Sequence, residues 1–291
     1  MSAAESTVHP TAELIAFAAN GWAFREPVRA PARQIVLATL LRAMANARSA
    51  AVEIAAAEAV PPARLRARAI GRPSVTTPLH AAFLTGLAAG EDAVLATPVV
   101  AAAFALGESV DAPGATVLDA IVAGTEIAVR VERALGTAHR DRGWDTRGTC
   151  GRLGAAIASA RLLGLQREAM RDAFGIAATA AAGLTEARGT MTAGYVVAAA
   201  AADGIEAALL ARAEFTGAPL ALEGRRGLAA LMSTGFDAGV LLAGLGATFA
   251  FESVDAASGT FESEAVRALV ARIERLPSIR ELVDATLLRS G

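Results

Sequence analysis

The sequence predicts an all-α protein built from many short helices. Three observations carry this expectation. Apolar residues recur at spacings of three and four, strand-like alternation is almost absent, and proline, glycine and hydroxyl residues punctuate the chain at helix-length intervals. Pro10 opens TAELIAFAAN, which should stop at Gly21. Pro27 opens a longer helix with Ile35, Leu37, Leu40, Leu41 and Met44 on one side. Residues 49–70 read as a further helix or a short extended piece, broken at Pro61 and Pro62. Thr77-Pro78 and Thr97-Pro98 repeat one signature, a capping hydroxyl followed by proline at the first helical position. Asp111 and Pro113 lead into a helix over 115–135, ended by Gly136. Helices over 151–163, 166–184 and 192–212 follow. A short strand is expected over 247–251, and two amphipathic helices after Thr260 are separated by Pro277. The central helices are apolar nearly all round, which marks them as buried.

Composition narrows the function classes. With 54% hydrophobic residues and a mean hydropathy of +0.44, the chain invites a membrane reading. A span needs ~20 mostly apolar residues, however, and the best runs are bracketed by Asp92 and Glu108 or by Arg188 and Asp203. We therefore expect no membrane partner. The N-terminus has neither a basic nor an apolar signal region, and the single cysteine, Cys150, has no mate, so a cytoplasmic location is expected. A net charge of −2 argues against nucleic acid. The chain contains no lysine, which excludes Schiff-base chemistry and a lysine general base. No phosphate loop, nucleophile elbow or metal spacing is present, so neither metal nor cofactor is expected; His9, His80 and His139 are scattered.

Polar chemistry concentrates in residues 136–165, GTAHRDRGWDTRGTCGRLGAAIASARLLGL. This stretch, followed by AFGIAATAAAGLTEARGTM (173–191) and AAADGIEAALLARAEFTGAPLALEGRRG (200–227), resembles the MmgE/PrpD family, which includes 2-methylcitrate dehydratase and cis-aconitate decarboxylase. AAFLTGLAAGED and AIVAGTEIAVRVERAL fit the same family in the same order. The resemblance implies a multi-helix MmgE/PrpD-like domain over residues 1–250. The family's second, α+β domain is expected to be missing, or reduced to a short helical tail over 251–291.

Family members act on small di- and tricarboxylates with histidine, aspartate and lysine side chains, and those positions have changed here. The histidine of the G-W-H-x-T-G motif falls on Asp145, the lysine after the G-x-M segment on Ala193, and a nearby histidine on Val197. The Asp-rich run reads GEDAVLAT, and the second domain's K-P-Y-P-x-C motif is missing near Ser253. Asp145 is then either a general acid or base, its pKa raised by burial beside Trp144, or a surface aspartate paired with Arg142 or Arg147. Thr149, Cys150 and Gly151 are expected to head a helix, where Cys150 is a candidate nucleophile or simply a small buried residue. Arg140, Arg142, Arg147 and Arg152 either bind a carboxylate by fork geometry or form a solvated basic loop. His80, Tyr195 and Thr97 are further candidates, each with a structural alternative, and Met191 closes the G-T-M segment. The expected catalytic set is Asp145, Tyr195, Cys150 and His80. Arg142, Trp144, Arg147, Thr149, Met191 and Thr97 would bind substrate.

Loss of the family's charges within an intact helical framework suggests a lyase or cyclase holding a small, relatively apolar metabolite in a reactive shape. The alternative is an inactive scaffold or partner subunit; the family's usual dehydratase or decarboxylase activity comes last. Apolar helix faces left uncovered imply self-association, most simply as a homodimer.

Overall fold

The computed structural model describes residues 9–20, 24–62, 64–253 and 261–287. Among them the helices are α1 (Pro10–Ala19), α2 (Glu26–Asn46), α3 (Ala50–Ala57), α4 (Pro78–Ala89), α5 (Thr97–Ser109), α6 (Gly114–Asp141), α7 (Thr146–Leu162), α8 (Arg167–Thr179), α9 (Met191–Arg212), α10 (Leu228–Met232), α11 (Ala238–Leu242), α12 (Glu264–Val270) and α13 (Arg280–Thr286). One antiparallel pair of two-residue strands, β1 (Ala67–Arg68) and β2 (Val75–Thr76), lies between α3 and α4. The all-α class is what the sequence predicts.

Alanine and glycine set how closely the central helices approach. In α5 every residue from Thr97 to Glu108 is buried, so this helix has no solvent face. It packs with α4, α6, α7 and α9. Where α6 crosses α7, a Cβ on Gly154 would come 2.5 Å from the Gly124 carbonyl oxygen. Only glycine allows that approach. α9 has the length and apolarity to cross a membrane, contrary to the expectation that every apolar run is cut short. Its apolar window is mostly buried among the other helices, which accounts for its composition without a membrane.

Two ion pairs with buried carboxylates fasten the periphery. Glu108 of α5 accepts both the backbone N–H of Arg68 (2.7 Å) and its Nε (2.7 Å), fixing the small hairpin. On α6, Arg130 and Glu126 grip the segment over 241–251. Arg130 donates to Glu126 Oε1 (2.5 Å) and to the carbonyls of Leu241 (3.0 Å), Ala243 (2.8 Å) and Thr248 (2.9 Å). Glu126 Oε2 accepts the Phe251 N–H (3.0 Å). The C-terminal helices join the same core through Val270, Ile273, Ile279 and Leu282, and Gly114 N–H donates to Leu276 O (3.0 Å).

Several local expectations are corrected. The stretch over 247–251 is no strand: it holds a bridge between Leu245 and Thr248 and then a 3-10 turn over Ala250–Ser253. α8 ends at Thr179 rather than near 184, and the chain after it turns through Gly183 at φ 138°. α7 starts at Thr146, one turn earlier than expected, because Asp145 caps it. Thr77 is the N-cap expected of it, accepting His80 N–H (3.2 Å). Thr97 is not: Ala96 takes that place, and the Thr97 hydroxyl accepts Val94 N–H (3.1 Å) instead. Gly21 lies outside the described residues.

Candidate functional site

Three loops meet at the N-terminal end of α7. The break at Gly136 (φ 65°) turns the last residues of α6 out of line, and residues 142–145 then pair with residues 183–185. Asp145 N–H donates to Gly183 O (3.0 Å) and Thr185 N–H to Gly143 O (2.9 Å). Asp145 Oδ1 accepts the Arg147 N–H (3.0 Å), the N-cap bond of α7. The Arg147 guanidinium also closes on the Asp145 carboxylate through Nε (2.9 Å) and Nη2 (2.5 Å). Its Nη1 donates to Glu91 O in the loop between α4 and α5. Glu91 in turn accepts Gly189 N–H (2.9 Å) from the third loop. Arg147 thus joins two of the loops directly, and Glu91 and the Asp145 N–H tie in the third.

Above this clamp lies an open cleft of about 840 Å³. Nine of its sixteen lining residues are charged: Glu91, Asp92, Glu132, Arg133, Arg140, Asp141, Asp145, Arg147 and Arg188; Trp144 supplies a half-buried aromatic wall. The apolar pocket expected at this stretch is therefore corrected to a polar one. Arg140 pairs with Glu132 (3.2 Å), and Arg133 donates to Ala250 O (3.0 Å).

The acid–base expectation for Asp145 is also corrected. Burial works to raise its pKa, but hydrogen bonds and charge from Arg147, with Arg188 adding to them, outweigh it and hold the carboxyl below its ordinary range. The residue is paired with Arg147, as one sequence alternative had it, yet the pair is buried rather than on the surface. Thr149 closes the first turn of α7 and Cys150 opens the second; both are fully buried, not at an exposed helix end. Burial pushes the Cys150 thiol up to about 12, which removes it as a nucleophile at neutral pH. Arg142 is exposed and does not line the cleft, and Thr97 is buried below it. Arg152 is buried too, paired with Asp203 of α9 (2.9 Å).

His80, Tyr195 and Met191 lie elsewhere. Phe83 stacks on His80 (centroids 6.1 Å apart) and meets Tyr195 edge-on (5.6 Å), while Met191 and Ile54 stand exposed beside them. These residues line two small apolar hollows between α3, α4 and α9. The expected catalytic set is therefore divided between two faces. Burial, partly offset by the Ala55 carbonyl, holds the His80 pKa below the ordinary histidine value. Among the described residues no three His, Cys, Asp or Glu side chains gather as a metal site.

The residue that sequence reasoning missed is His139. It is fully buried, stacked on Trp144 (centroids 6.4 Å, planes 15° apart). Its Nδ1 lies 3.1 Å from Met232 O and its Nε2 2.8 Å from Thr149 Oγ1. A histidine six residues before Asp145 is a usable signal only once the Gly136 break shows that it folds back under the loop.

A helical domain whose polar cleft is built by the loops preceding α5, α7 and α9 defines the class of protein. The chain belongs to the MmgE/PrpD family: residues 15–241 match the family's N-terminal domain. A search of curated proteins returned no match.

Proposed function

We propose that this chain is a divergent MmgE/PrpD-family protein whose cleft beside Trp144 takes a small, polar metabolite, with lyase- or cyclase-type chemistry driven by holding the substrate in a reactive shape. The observation that carries this reading is the Arg147 clamp. It ties the loop between α4 and α5 to the start of α7 beside a charge-lined cleft at the family's own motif, while holding ionised the residue that replaces the motif histidine. An Asp145 locked in this way is suited to ordering the cleft and poorly suited to moving protons. Lining charges of both signs favour a ligand carrying polar or ionic groups, a change from the apolar metabolite that sequence alone suggests.

The test is a thermal-shift and calorimetric screen of small carboxylates, amino acids and hydroxylated metabolites against the wild-type protein and Trp144→Ala. Binding that is weakened at least tenfold by the substitution, followed by turnover of the bound compound, supports the proposal. Binding unaffected by Trp144→Ala moves the site elsewhere. Turnover of methylcitrate or aconitate would revive the family's usual activity.

A second reading, a non-catalytic partner subunit, is favoured by the exposed apolar side chains Ile54, Met191 and Tyr195. Within either reading we propose a homodimer, which light scattering checks; a monomer at micromolar concentration contradicts it.

A further inference from the structure

The hydrogen bonds around His139 fix the tautomer of its neutral ring. A carbonyl only accepts, so Nδ1 must carry the proton that reaches Met232 O. In the neutral ring Nε2 is an acceptor, and the Thr149 hydroxyl donates to it. The same hydroxyl lies 3.2 Å from Asp145 O, the carbonyl that accepts the Gly148 (3.0 Å) and Thr149 (3.1 Å) N–H groups in the first turn of α7. With one hydrogen, Thr149 serves His139 or Asp145, not both at once.

We infer that the His139–Thr149 pair is a proton-sensitive support beneath the Trp144 wall of the cleft, in which protonating the ring reverses the Thr149 hydrogen bond and passes the change to the cap of α7. The imidazolium would donate from Nε2 to Thr149 Oγ1. The hydroxyl hydrogen would swing to Asp145 O, on the residue whose carboxylate grips Arg147. The added charge would lie against the Trp144 face, where a cation is tolerated by the ring quadrupole.

The groups that bear on this proton are few. From α6, Glu132 favours the charged ring and Arg140 opposes it. From α7, Cys150 is a neutral thiol and the Asp145 carboxylate is committed to Arg147. α10 offers only the Met232 carbonyl. Burial is the largest influence and holds the pKa below the ordinary 6.5.

The test uses the unmodified full chain with ¹⁵N-labelled histidine, whose ring signals report tautomer and titration directly. With three histidines, His9→Gln and His80→Gln assign His139 by elimination. The expected result is a neutral Nδ1–H ring at pH 7 that titrates below 6.5. The Gly148 and Thr149 amide signals should move with the same midpoint, and so should Trp144 emission in a Trp22→Phe background. In Thr149→Val the amides should stop following the ring, and Thr149→Ser should restore them. An Nε2–H ring at pH 7, a midpoint at or above 6.5, or α7 amides that ignore the titration would overturn the inference. The first two readings need no variant at the site itself.

Discussion

Replacing Arg130 by methionine should cut the stability of this protein more than any surface change. Both partners of the Arg130–Glu126 pair are buried, with side chains 3% and 1% exposed. Methionine fills much of the same volume but leaves the Glu126 carboxylate with only the Phe251 N–H, and strips the donor from Leu241 O, Ala243 O and Thr248 O. Breaking a buried pair from one side costs about 3–5 kcal/mol, because the surviving charge stays out of water without its partner. For a chain of this size, that corresponds to a fall in Tm of about 6–20 °C. Urea unfolding gives the free energy, and hydrogen exchange over 241–251 gives the location, since that segment loses its anchor. Replacing both residues, Arg130→Met with Glu126→Leu, removes the stranded charge and should recover about half the loss. A single variant within about 1 kcal/mol of wild type would refute the reasoning, as would a double variant less stable than the single one.

Four further outcomes follow from the same structure. Gly154→Ala should destabilise by about 1–3 kcal/mol in urea despite alanine's better helix propensity, because its Cβ meets the Gly124 carbonyl; a more stable variant would contradict the packing at the crossing. Stability should fall on acidification in two windows, measured by Tm against pH. His139 and His80 have depressed folded pKa values, so their contribution is present above 6.5 and is lost as pH falls through and below that value. Asp145 contributes above 3.8 and loses its part below it, and Arg147→Met should remove this lower window. Cys150 should react with a thiol reagent only at the rate of global unfolding, and labelling within seconds in native buffer would show that the core is open.

Local chemistry made much of the fold legible in advance. Thr77-Pro78 marks the start of α4 because an N-cap bond spans only three residues, Pro98 marks that of α5, and apolar recurrence at three and four marks α6. Where the signal needed a distant partner, it failed. α7 starts early because Asp145 caps it and is clamped by the Arg147 guanidinium, and the 247–251 stretch is held by Arg130, more than a hundred residues upstream.

The candidate site divides along the same line. The sequence by itself determined the family and the absence of any lysine, since both are matters of residue identity along the chain. Tertiary structure alone decided what the candidate residues do. It put Trp144 and Arg147 on a polar cleft, sent His80, Tyr195 and Met191 to another face, and sealed Cys150 inside the core. It also brought His139 under Trp144 through one left-handed glycine. The physical reason is that charge state and reactivity depend on burial and on the hydrogen-bond partner, and the fold supplies both.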